Sequence, residues 1–169
     1  VMRRAVIYVL IVLIVGLVIY AFQPPKQMGE GDAAPNVTLN LLNGETRTLA
    51  DYKGKVVVLD FWATWCAPCR FTMPKMIQFH NRHRDQDVVV IGVAVDVTSR
   101  AEIEQFVTEM GVNYPIAVDS DATAKSAYQI KSLPTLFIID KEGNILRRME
   151  GYDPQNTIQT LEDTVKRAL

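Results

Sequence analysis

Two cysteines three positions apart, directly behind a strand-like apolar run, set the strongest limit on what this chain can fold into. The run is Val56-Val57-Val58-Leu59-Asp60-Phe61, and the pair sits in Trp65-Cys66-Ala67-Pro68-Cys69. A disulfide over so short a loop barely confines the unfolded chain, so it makes a poor structural staple. At the start of a helix the same two thiols make a switch. Unpaired N–H groups and the helix dipole favour a thiolate there. Cys66 is the natural attacker on a partner disulfide, and Cys69, one turn later on nearly the same face, is the natural resolver. Pro68 is pre-set for an early helical turn and withholds no needed donor. Arg70 adds positive charge nearby.

Other residues gain meaning from that pair. Asp60 ends an otherwise apolar strand six residues before Cys66, and its side chain faces opposite to those of Leu59 and Phe61. Pointed beneath the helix start, it becomes a buried acid with a raised pKa, able to exchange a proton with Cys69. The other reading is an exposed strand-end carboxylate. Leu133-Pro134-Thr135 opens a later strand, where proline cannot join the ladder. Trp62 and Trp65 offer flat apolar area near the thiols, for simple packing or for a docking peptide. His80 and His83 do not complete a zinc site with the cysteines. The spacing is wrong, and residues at opposite ends of one helix stand roughly 20 Å apart. They are expected at the surface, and neither metal nor cofactor is expected.

Along the chain, Asn43-Gly44 marks a hairpin between Val37–Leu39 and Thr46–Leu49. A helix is expected from about Cys66 to Arg82, kinked at Pro74. Val88–Val95 reads as a strand covered on both faces, and Ser99-Arg100-Ala101-Glu102 as a capping box. Short elements follow at 114–118 and 122–128, then a hairpin over 135–149 and a helix to Ala168. Such alternation implies an α/β domain, a central sheet with helices on both faces.

Ala5–Phe22 is an uncharged run of 18 residues, roughly 27 Å as a helix, preceded by Arg3 and Arg4. It reads as a single membrane anchor, residues 1–22, with the positive end held in the cytoplasm. A cleaved secretory signal is the alternative, but Ile19-Tyr20-Ala21 is a poor cleavage site. Residues 23–31 form a polar tether and 32–169 the working domain. A formal charge of −1, with the signs interspersed, gives no support for nucleic acid binding.

Taken together these residues resemble the thioredoxin superfamily, and more closely its membrane-tethered extracytoplasmic branch, the ResA/TlpA-like thiol-disulfide oxidoreductases. The likeness rests on Val57 to Arg70, on Met73-Pro74, on Leu133-Pro134-Thr135 and on the opening Gly31-Asp32-Ala33-Ala34-Pro35-Asn36. It implies a thioredoxin-like fold with a central mixed sheet, preceded by one transmembrane helix. It also implies a cis Leu133–Pro134 bond facing the cysteines and a substrate strand bound at Leu133. Asp60 falls where thioredoxins keep their buried acid, and residues 96–120 form an inserted strand–helix segment. Cys66, Cys69, Asp60 and Pro134 are then the catalytic candidates, with Trp65, Pro68 and Leu133 as substrate contacts.

The implied activity is reduction of extracytoplasmic disulfides by a monomer, with the haem-binding cysteines of apocytochrome c as one substrate. Electrons would come from a membrane thiol reductase. A dithiol oxidase or isomerase would use the same residues. A peroxidase of related fold and a non-enzymatic binding module are more distant rivals. One departure stands out: many members carry glutamate three positions after the second cysteine, and here that residue is Thr72.

Overall fold

The computed structural model describes residues 2–22, 27–96 and 98–169, with the side chains of residues 2–6 and of Val9 outside that description. Helix α1 covers Met2–Ala21. Its described side chains, Ile7, Tyr8 and residues 10–22, are all exposed. Within the described residues no helical stretch is long and apolar enough to cross a membrane. Of the Ala5–Phe22 anchor, the side chains of Ala5, Val6 and Val9 lie outside the described ones, and tether residues Gln23 to Lys26 lie outside altogether.

The remainder is an α/β layer structure. β1 (Thr38–Asn40) and β2 (Thr46–Thr48) form the expected antiparallel hairpin. β3 (Val56–Trp62), β4 (Val88–Ala94), β5 (Ile116–Val118), β6 (Thr135–Ile139) and β7 (Ile145–Glu150) form one sheet in the order β5-β4-β3-β6-β7. β3 runs parallel to β4 and antiparallel to β6, so the sheet is mixed and β3 is its centre. Helices α2 (Ala67–His83), α3 (Arg100–Glu109), α4 (Thr123–Ala127) and α5 (Thr157–Ala168) complete the domain.

All seven residues of β3 are buried, which is why it reads as an apolar run rather than an alternation. Its side chains still divide by parity. Val56, Val58 and Trp62 enter the core made with Met73, Met76 and Phe79 of α2, Phe106 of α3 and Leu161 of α5. Val57, Leu59 and Phe61 enter the opposite core, closed by Leu39, Leu49, Tyr128 and Phe137. Each large side chain buried this way contributes about 1.5–3 kcal/mol. Asp60 therefore faces the α2 side.

Helix α2 continues through Pro74 to His83. α3 begins with the predicted capping box, Ser99 and Glu102 bonding reciprocally. Two expectations need correction. His83 is half-buried rather than freely exposed: its side chain is 13% exposed, bonds Glu162 at 2.7 Å and packs its ring on Phe79. Trp62 offers no docking area, since it is fully buried and stacks on Phe106 at 5.4 Å.

Candidate active site

Cys66 is the N-cap of α2, with extended backbone (φ −79°, ψ 101°), and Pro68 occupies the first turn. The two cysteines form a disulfide, S–S 2.07 Å, with Cα atoms 5.3 Å apart. The Cys69 N–H reaches the Cys66 sulfur at 3.2 Å, and the amides of Cys69 and Arg70 reach the Cys66 carbonyl. The first turn thus shares the Cys69 N–H between Cys66 Sγ and the Cys66 carbonyl, and a donor aimed at the sulfur favours a thiolate. Both cysteines are buried in this oxidised state, Cys66 at 4% and Cys69 at 2% exposure.

Asp60 shares the sheet face of Val58 and Trp62, whose core includes both cysteines. It is 1% exposed, and its Oδ1 has no hydrogen-bond partner among the described residues. Burial alone pushes its pKa up from 3.8 to about 7. An acid that titrates near neutrality can both take and return a proton. Thr72, at the position that departs from the family pattern, is buried, and its hydroxyl donates to the Pro68 carbonyl at 2.9 Å.

The loop before Cys66 is held by Asp96, which the sequence did not single out, and by Arg70. Asp96, buried just after β4, accepts the Thr64 N–H and the Thr64 hydroxyl, each at 2.9 Å. Arg70 folds back to donate to the Thr64 carbonyl at 3.0 Å and lays its guanidinium 4.7 Å over the Phe106 ring. The signal for Asp96 was available: it is an acid ending a second apolar strand, as Asp60 ends the first.

The Leu133–Pro134 bond is cis, and Pro134 is buried at the entrance to β6. Thr135 Oγ1 donates to the Ser132 carbonyl at 2.8 Å, and the Pro134 carbonyl accepts from Gly151 N–H. Leu133 and Ile130 face Trp65, Cys66 and Pro68 across a cavity of about 370 Å³. Trp65, 70% exposed, forms one wall, so Trp65, Pro68 and Leu133 come together as the sequence suggested. A second cavity, about 300 Å³ between Ala34, Leu49, Tyr52 and Ile139, holds neither cysteine. Among the described residues no cluster of ligating side chains could hold a metal ion.

Comparison with known proteins agrees with this geometry. The AhpC/TSA family profile matches residues 30–148. Thiol-disulfide oxidoreductase ResA of Bacillus subtilis (strain 168) is 33% identical over 165 residues, 96% of this chain and 92% of that protein. Among solved structures, a provisionally named thiol:disulfide interchange protein DsbE from Chlorobium tepidum superposes with a TM-score of 0.78. It is 31% identical over 84% of this chain and 99% of that one. The thioredoxin domain of a Bacteroides vulgatus thiol-disulfide oxidoreductase gives 0.73 at 25% identity, over 82% of this chain and 99% of that one. With the cysteine pair, the buried acid and the cis proline in place, the chain belongs to the AhpC/TSA family and, within it, to the ResA-like thiol-disulfide oxidoreductases.

Proposed function

We propose that this enzyme is a membrane-anchored reductant of disulfides in extracytoplasmic proteins. The observation that carries the reading is the disulfide at the α2 N-terminus, set between a buried acid and an open groove. In the dithiol form, Cys66 attacks one sulfur of a substrate disulfide in the groove. The other substrate sulfur leaves as a thiolate, and a mixed disulfide remains. Cys69 then gives its proton to Asp60 and attacks Cys66 Sγ. The second substrate thiolate departs, two electrons have passed to the substrate, and Cys66–Cys69 is again a disulfide.

The substrate strand lies along Leu133, against Trp65 and Pro68. Ala5–Phe22 anchors the chain in the bilayer with Arg3 and Arg4 in the cytoplasm, and residues 32–169 work as a monomer outside. A membrane thiol reductase returns the electrons, and apocytochrome c is one substrate. The peroxidase reading has little support: the Arg70 guanidinium is engaged with Thr64 and Phe106, and the Thr72 hydroxyl with Pro68.

Two measurements test the proposal together. Cys69→Ser should accumulate mixed disulfides in cells while Cys66→Ser should not. The Cys66–Cys69 potential should be low enough to reduce extracytoplasmic disulfides. A potential as oxidising as about −120 mV would make the protein an oxidase. Protease access in intact spheroplasts tests the topology, and a domain shielded in the cytoplasm would overturn it.

A further inference from the structure

Lys125 and Lys131 line the same groove as Trp65, Cys66 and Leu133, and every other residue lining it is uncharged. Both lysines are exposed, and among the described residues neither forms an ion pair. The neighbouring acids are already engaged. Glu150 pairs with the Arg148 guanidinium at 2.7 Å and accepts the Ser132 hydroxyl at 3.2 Å. Asp119 accepts the Ala124 and Lys125 amides at the start of α4, at 2.9 and 2.7 Å. The groove thus carries two positive charges without a paired acid, in a chain whose formal charge is −1. The backbone fixes where they stand. Lys125 lies on α4 and Lys131 beyond its end, and the Ile130 N–H donates to the Lys125 carbonyl at 2.9 Å, which ties the two segments together. The chain makes that turn through Gln129, in a left-handed conformation (φ 51°), whose carbonyl accepts from Arg148 at 3.0 Å. Like charges gathered on one wall repel, and an anion seated beside them relieves the repulsion.

We propose that Lys125 and Lys131 set substrate choice: the groove takes disulfide peptides that carry aspartate or glutamate beside the cysteine that Cys66 attacks. The proposal rests on reading this groove as the substrate site. A peptide seated along Leu133 with its sulfur at Cys66 occupies the space that both lysines line. Its carboxylates then meet opposite charge, whereas cationic flanks meet like charge and are rejected. Contacts of this kind act mainly on encounter rate and partner choice, and salt weakens them.

Model peptides test the choice, alike except that their disulfide is flanked by glutamates, by glutamines or by lysines. Each is mixed with the reduced full chain in non-ionic detergent at neutral pH, and the second-order rate of thiol loss is read by alkylation of quenched samples. In wild type the glutamate peptide should react about fivefold faster than the glutamine peptide, the size that two exposed ion pairs supply, and the lysine peptide should be slowest. Raising salt from about 0.01 M to about 1 M should bring the rates together. Lys125→Gln with Lys131→Gln should remove the order, and Lys125→Glu with Lys131→Glu should reverse it. Both side chains are exposed, so neither change disturbs the core. Equal rates in wild type, or an order that survives charge reversal, overturns the proposal. So does a change by the same factor for every peptide, because the lysines would then act on Cys66 and not on the substrate. Trp65→Ala separates the two readings. Slower rates with the order kept leave the groove as the substrate site, whereas rates untouched for every peptide overturn that reading and the proposal with it.

Discussion

Asp60→Asn should change how stability depends on pH, and the size of the change follows from the site. The carboxyl is 1% exposed, and burial raises its pKa from 3.8 to about 7. An acid whose folded value is raised holds its proton more tightly in the folded state. Its stabilising contribution is therefore whole below about pH 4 and is lost as pH rises through 7. The window from 3.8 to about 7, at about 1.4 kcal/mol per pH unit, is worth about 4 kcal/mol. Asparagine keeps the shape and has no proton to lose. The stability of Asp60→Asn minus that of wild type should therefore rise by about 4 kcal/mol between pH 4 and pH 8. Urea unfolding of the oxidised proteins in one detergent, followed by fluorescence of the buried Trp62, measures it. Asp51, Glu102, Asp121 and Asp153, held below their ordinary values by hydrogen bonds, act in the opposite sense at lower pH. They are common to both proteins and cancel in the difference. A difference that stays flat across this range would refute the assignment of a raised pKa to Asp60.

Three further outcomes follow from the same geometry. Gly92→Ala places a methyl 2.5 Å from Ile116 Cδ1 and 2.9 Å from Trp62 Nε1, so denaturation should show a loss of about 1–3 kcal/mol. Asp96→Ala removes the acceptors of both Thr64 donors and should cost about 1–3 kcal/mol; the loop before Cys66 should then exchange its amides faster with deuterium. Trp65→Ala deletes one wall of the groove while leaving the disulfide and Asp60 in place. KM for a peptide disulfide should rise, and the Cys66–Cys69 potential should stay constant.

Local sequence carried much of this structure because its signals were strong in themselves. Val56–Trp62 could only be a doubly covered strand, Ser99 and Glu102 could only open a helix, and Cys66 beside Pro68 could only sit at a helix start. Parity set Asp60 opposite Leu59 and Phe61 and left burial or exposure open; the packing of α2 on the even-numbered positions of β3 decides it. What escaped was pairing between distant segments. Nothing local says that Gly92 lies beside Asp60, because that depends on the β3–β4 register, 32 residues apart. Tyr114 read as part of a short strand, whereas β5 begins only at Ile116 and the phenol turns inward. Trp62 and Trp65 looked alike in sequence, yet one ends a central strand and is sealed while the other sits on the following loop and is open.

Thr72 shows why the departure from the family pattern sharpens the chemistry. At this position on α2 the side chain is fully buried, so a carboxylate there would be a second acid in the same core. Two buried acids close enough to interact titrate as a coupled pair, with apparent values that belong to neither. Threonine removes that coupling. Its hydroxyl is turned back on the Pro68 carbonyl, one helical turn earlier, and offers Cys69 no basic site. On the proposed mechanism, proton transfer at resolution then falls to Asp60, whose pKa burial raises to about 7. The pH dependence of resolution should accordingly follow a single ionisation, which makes this chain a simpler system than a relative with glutamate for separating the acid's role from that of the thiols.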